Sequence, residues 1–141
     1  MHIKRGTFRI VLLTKKYAIK IPLIETDSFK GRLYGFIHGW QQNLCEVAYY
    51  KNDVSGMLCP IKFTFFGLIN VMPRCDTFIA SKRNFHYIYN AFKLQCDNWF
   101  LVENKISSFG ILNKRVVAVD YGNDCMSLQQ DKLRHELKYS K

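Results

Sequence analysis

Arg115-Val116-Val117-Ala118-Val119-Asp120-Tyr121-Gly122 is an apolar, largely β-branched run that ends on an acid and a glycine. Such a run reads as a buried strand. The strand carries Asp120 at its tip, and a carboxylate fixed beside a permissive glycine is a common way to hold a cation or polarise a reacting group. Strand-Asp-x-Gly also closes ordinary turns, so the rest of the chain decides between the two readings.

Working outward, Ile111-Leu112 and Val116–Val119 form a hairpin around Asn113-Lys114. At the other end, Phe8–Leu13 and Tyr17–Ile21 are strand-like runs joined by Thr14-Lys15-Lys16, and Pro22 ends the second. Residues 25–31 read as a loop. From about Leu33 to Tyr50 the spacing is helical, with Ile37, Trp40, Leu44, Val47 and Ala48 three or four apart. Gly35 and Gly39 weaken its front, so a firm helix is expected only from about Trp40. Leu58–Phe66 and Leu68–Met72 read as strands joined near Gly67, with Pro73 as the stop. Ser81 caps a helix to about Cys96 that buries Phe85, Ile88, Tyr89 and Phe92. Residues 97–109 are irregular. Ser127-Leu128-Gln129-Gln130 resembles a capping box opening a last, polar helix. The plan is α+β, with an N-terminal antiparallel sheet.

At 141 residues the chain is expected to be one domain with a core of its own. No apolar run reaches membrane-spanning length and the first residues form no signal-type segment, so a cytoplasmic protein without membrane contact is expected. The net charge of +10 favours acidic partners. The basic residues come as scattered pairs such as Lys4-Arg5, Lys15-Lys16, Lys82-Arg83 and Lys114-Arg115, not as a stripe on one element, so nucleic acid ranks behind protein as that partner. Tyr87, Tyr89 and Trp99 are the aromatics that would stack on bases if it were nucleic acid. Cys45, Cys59, Cys75, Cys96 and Cys125 show no CxxC spacing and are expected to be reduced, small hydrophobic fillers. The four histidines are scattered without ligand spacing.

Two residues complete the constellation around Asp120. Lys20 stands mid-strand in Tyr17-Ala18-Ile19-Lys20. Glu46 stands on the following helix, in Asn43-Leu44-Cys45-Glu46-Val47-Ala48-Tyr49-Tyr50, where helical spacing groups it with Asn43 and Tyr50. Ala18-Ile19-Lys20 resembles the V-A-I-K strand of protein kinases, and Glu46 the glutamate of the αC-type helix that pairs with its lysine. Val71-Met72-Pro73-Arg74 resembles the kinase hinge, and Asp120-Tyr121-Gly122 the DFG motif. The order is right, and the likeness extends over roughly residues 6–124, closest to small phage-encoded and aminoglycoside-phosphotransferase-like members. It implies a truncated kinase-like fold: about 1–75 as a first lobe with the antiparallel sheet, and about 76–141 as a reduced helical second lobe. It further implies an ATP/Mg²⁺ site with Gly6, Lys20, Glu46 and Met72 around the nucleotide, and Asp120 and Ser108 on the metal.

The departures carry as much information. The glycine-rich loop is reduced to Gly6-Thr7-Phe8-Arg9, with Arg9 where its last glycine would stand, and the first strand is missing or only a few residues long. Counting back from Asp120, the catalytic base position falls on Glu103 and the metal-binding asparagine on Ser108, within Glu103-Asn104-Lys105-Ile106-Ser107-Ser108-Phe109-Gly110. An extra methylene misplaces a carboxylate by about an ångström, and such an error costs on the order of a hundredfold in rate. Asp97 is a second candidate base, at the cost of an insertion. Nineteen residues follow Gly122, room for one helix instead of a substrate platform. The resemblance therefore implies a minimal, catalytically impaired kinase (a pseudokinase), phage- or virus-encoded, that binds a host or viral protein with an acidic surface. The alternatives are an active minimal ATP-dependent kinase and a small basic nucleic-acid-associated protein.

Overall fold

The computed structural model describes residues 2–24, 28–96, 99 and 102–122, and the fold over them is α+β. Strands β1 (His2–Arg5), β2 (Arg9–Leu13), β3 (Tyr17–Pro22), β4 (Phe63–Phe65) and β5 (Ile69–Pro73) make one antiparallel sheet in the order β1-β2-β3-β5-β4. A second, three-stranded antiparallel sheet holds β6 (Asp76–Thr77), β7 (Phe109–Leu112) and β8 (Arg115–Ala118). Helix α1 (Phe29–Asn52) joins β3 to β4, and α2 (Lys82–Gln95) lies between β6 and β7. No helix among the described residues is long and apolar enough to cross a membrane.

Most elements follow their sequence patterns. The initial strand is four residues long, within the expected few. The Ser81 side chain accepts a hydrogen bond from the Asn84 N–H and starts α2, whose Phe85, Tyr89 and Phe92 are buried at one-turn spacing. All three rings meet Phe109 of β7, with centroids 5.2–6.1 Å apart. The apolar core lies there, between α2 and the smaller sheet, and includes Leu58, Cys59, Met72, Val117 and Tyr121. Fully burying each such ring removes roughly 150–250 Å² from water, and this term dominates the core's stability.

Two expectations about these elements need correction. Residues 58–66 give only the short strand β4; Leu58 instead makes a lone parallel bridge to Ala118, because its chain turns down toward the second sheet. Strand β6 is two residues long and carried no pattern. Helix α1 begins at Phe29, not near Trp40. The Ser28 side chain caps it by accepting from the Gly31 N–H. Gly39 is a packing device: a Cβ there would stand 2.2 Å from the Phe8 carbonyl oxygen and 2.9 Å from Pro22 Cα, so only glycine lets the helix lie this close to β2 and β3.

The packing of α1 decides which face its periodicity turns outward. Ile37, Trp40 and Leu44, whose spacing marks the helix, are 36–40% exposed. Trp40 donates its indole N–H to the Phe66 carbonyl at 2.6 Å. The face turned to the sheet is Gly39, Asn43 and Glu46, all buried. The expected last helix lies outside the described residues. Cys59, Cys75 and Cys96 are free thiols, as expected; Cys45 is disulfide-bonded, which corrects the expectation at that position.

Candidate functional site, a charged cleft

Under the five-stranded sheet, a group of charged side chains is shut away from water. Glu46 is 0% exposed, Lys20 5% and Arg9 6%. Strand alternation sends Lys20 inward from the middle of β3, where it is paired with Asn70 of β5 on one side and Val11 of β2 on the other. Arg9 opens β2 just after the Gly6-Thr7-Phe8 turn, which is closed by a 2.8 Å hydrogen bond from the Gly6 N–H to the Arg9 carbonyl. Isolated charges would not survive such burial, so each must be paired.

The pairing is complete. Lys20 Nζ donates to Glu46 Oε1 and, at 2.7 Å, to the Val119 carbonyl, and stands 3.9 Å from Asp120 Oδ1. Arg9 forks: Nη1 lies 2.8 Å from Glu46 Oε1 and Nη2 donates to Asp120 Oδ1. Two buried asparagines frame the cluster. Asn43 donates to the Gly67 carbonyl at 2.8 Å and accepts from Arg9 at 3.4 Å. Asn70 donates to the Asn43 carbonyl at 2.8 Å and accepts from Thr64 at 2.8 Å. Among the described residues no buried side-chain polar atom lacks a partner.

Asp120 sits where strand β8 runs out. The Ser108 carbonyl accepts from the Val119 N–H at 2.8 Å and the Asp120 N–H at 3.4 Å, so the backbone of the Ile106–Ser108 turn fixes the acid. Tyr121, wholly buried, donates its hydroxyl to the Cys59 carbonyl at 2.6 Å. Gly122 passes under α1, where a Cβ would meet the Gln42 carbonyl at 2.6 Å and Glu46 Cγ at 2.8 Å. The aspartate is thus locked on both sides while its side chain, 41% exposed, faces the cleft.

Burial opposes the ionisation of Asp120, but Lys20 and Arg9 outweigh it and hold its pKa below the usual carboxylate value. The balance is the same at Arg9: burial works against its charge, and Glu46 and Asp120 overcome that and raise its pKa further. A depressed carboxylate stabilises the fold above its unfolded pKa of about 3.9 and loses that contribution as pH falls through the lower folded value. The stability difference between the wild type and Asp120→Asn, from urea titrations, should therefore be flat from pH 7 to 5 and shrink below pH 4. Its size will be modest, since solvent screens a half-open pair.

The cleft in front of this cluster has a volume of about 860 Å³. Lys20, Glu46 and Asp120 come together as the sequence suggests. Gly6, Met72 and Glu103 line the same cleft with Arg9 and Asp120. Met72, 1% exposed, serves mainly as core. Glu103 stands at the rim, ion-paired with Lys105. Ser108 is buried behind Asp120 and acts through its backbone. Asp97 lies outside the described residues. What sequence reasoning missed is the work of Asn43 and Asn70 and the two acids that Arg9 joins. The available signals were a charged residue opening an apolar strand and two asparagines within otherwise apolar segments.

The geometry bears on the metal implied for Asp120 and Ser108. The Oδ1 of Asp120 already accepts from Arg9, Ser108 is turned into the wall, and among the described residues no group of three His, Cys, Asp or Glu side chains could hold an ion. These residues do not fit a divalent cation. Two cations and two carboxylates cancel within the cluster, while Lys4, Arg5, Arg74 and Lys105 give the cleft lining a basic excess over Asp76 and Glu103. The arrangement can attract an anion to its mouth but has its central charges committed. No protein-family model, curated protein or solved structure matches this chain.

Proposed function

We propose that this chain is a minimal kinase-like protein, phage- or virus-encoded, that has given up phosphoryl transfer and acts by binding a host or viral protein with an acidic surface. The observation that carries the reading is the Arg9 guanidinium lying on both Asp120 and Glu46. A kinase leaves its metal-holding aspartate open to the ion and its lysine–glutamate pair open to phosphate. Here an internal cation occupies that space and neutralises both acids. The carboxylate at the base position, Glu103, is tied to Lys105 at the rim.

The surface supports a binding role. Leu33, Ile37, Trp40 and Leu44 repeat at helical spacing along α1 and stay 36–50% exposed, forming an apolar seam of the kind a partner helix covers. The charged residues of α1 are Lys30, Arg32 and Lys51, apart from the buried Glu46. An apolar seam with only basic flanks is complementary to an acidic partner.

The test is release of γ-phosphate from ATP with Mg²⁺ or Mn²⁺, alone and with generic protein acceptors. The expected result is no release above the protein-free blank, and no Mg²⁺-dependent rise in melting temperature at millimolar ATP. Clear turnover that disappears in Asp120→Ala would establish the active minimal kinase instead.

A further inference from the structure

A second pair of reactive groups lies in the cleft wall and takes no part in the charge cluster. Cys59 and Cys75 place their Sγ atoms 3.5 Å apart, and neither is disulfide-bonded. Both thiols also lie near one acceptor, the Pro73 carbonyl, at 3.8 and 3.9 Å. They come from different parts of the chain. Cys59 precedes β4 and is pinned at its backbone: its N–H bonds to the Ala118 carbonyl at 2.8 Å and its carbonyl accepts from Tyr121. Cys75 sits in the link between the two sheets, packed against Gly110, where a Cβ would come within 2.6 Å of its own.

The two differ in access. Cys59 is 0% exposed, whereas Cys75 is half-buried, and both line the cleft. The contact between the two thiols holds Cys75 below its ordinary pKa, against the opposing effect of burial, and pushes Cys59 up. An accessible attacking sulfur beside a sheltered second one is the arrangement that thiol–disulfide exchange uses.

We propose that Cys75 and Cys59 form a redox couple, oxidised by small disulfides such as glutathione disulfide that reach Cys75 through the cleft. The Cys75 thiolate attacks one sulfur of that molecule, whose S–S bond breaks, and the first glutathione leaves as a thiolate that takes up a proton. Cys59 then loses its proton and attacks Cys75 Sγ, and the second glutathione leaves as the thiol. Two protein thiols are oxidised to one disulfide, and one glutathione disulfide is reduced to two glutathiones. The sulfurs close from 3.5 Å to about 2.05 Å. The new bond ties the segment before β4 to the link between the sheets, bracing one wall of the cleft. The inference does not rest on the pseudokinase reading and stands or falls separately from it.

The experiment exposes the folded full chain to glutathione disulfide and maps the products by mass spectrometry. The expected product has lost two hydrogen atoms and yields a Cys59–Cys75 cross-linked peptide. Cys59→Ser, with Cys59→Ala as a second variant for the buried position, should stall with glutathione attached to Cys75. Cys75→Ser should protect Cys59. In the reduced wild type, Cys75 should be alkylated at least about tenfold faster than buried Cys96. Oxidised wild type without the 59–75 linkage, or Cys75 reacting no faster than Cys96, would overturn the proposal.

Discussion

Glu46→Ala should destabilise the fold by about 3–5 kcal/mol, the largest loss expected from any single substitution in the cleft. Glu46 is wholly buried and is the shared partner of Lys20 and Arg9, themselves 5% and 6% exposed. Removing it leaves two cations in a poorly solvated space, with a half-exposed Asp120 as their nearest remaining acid. Native domains hold only about 5–15 kcal/mol in total, so the melting temperature should drop by roughly 10–20 °C. The loss measures stranded charge, not the net worth of the ion pairs. The triple variant Arg9→Met, Lys20→Met, Glu46→Leu, which empties the cluster of charge together, should therefore lose less stability than the single one. Urea unfolding of the two proteins checks this; a triple variant weaker than Glu46→Ala would mean that the cluster is itself a main source of stability.

Gly39→Ala should cost about 2 kcal/mol or more, although alanine is the better helix former. Propensity favours alanine by about 1 kcal/mol at a helix interior. Against it stands a Cβ 2.2 Å from the Phe8 carbonyl and 2.9 Å from Pro22 Cα, both backbone atoms that cannot rotate away. Overpacking of this kind costs typically about 1–3 kcal/mol and sometimes more. The clash wins because the helix must move off the sheet, and Phe8 is the residue next to Arg9, so the charge cluster is loosened as well. Gly35→Ala is the control. Its nearest contact, the Leu23 carbonyl, would be 3.3 Å away, and its effect should stay within about 0.5 kcal/mol of zero. Denaturant midpoints of the two variants give the comparison, and equal effects would show that propensity, not the close approach, governs this helix.

The residues that could be read from sequence are those whose role is announced by their neighbours. Lys20 interrupts an alternating strand, Asp120 ends an apolar one, and Glu46 sits one helical turn from Asn43. Each is a local anomaly, and the fold brings all three to one place. Arg9 was visible as a departure from a glycine and as a side chain able to fill the pocket, but nothing near it in the chain names its partners: Asp120 lies 111 positions away. The exposed side of α1 could not be read for a related reason. Its apolar residues repeat correctly, but periodicity says only that a face is apolar, not which neighbour covers it. The sheet beneath α1 presents charge, so asparagine, glutamate and glycine turn inward and Trp40 and Leu44 are left partly exposed.

The amino-acid order alone determined the α+β plan, the strand–hairpin–helix sequence, the aromatic face of α2 and the three ionic residues of the cleft, because these rest on spacing and propensity within a few turns of chain. The folded molecule alone decided that Arg9 fills the space between two acids, that α1 turns its polar side inward, and that Cys59 meets Cys75. Those outcomes depend on which distant surfaces are pressed together, and the free energy of an ion pair or thiol contact is set by separation and burial in space, which no local pattern records.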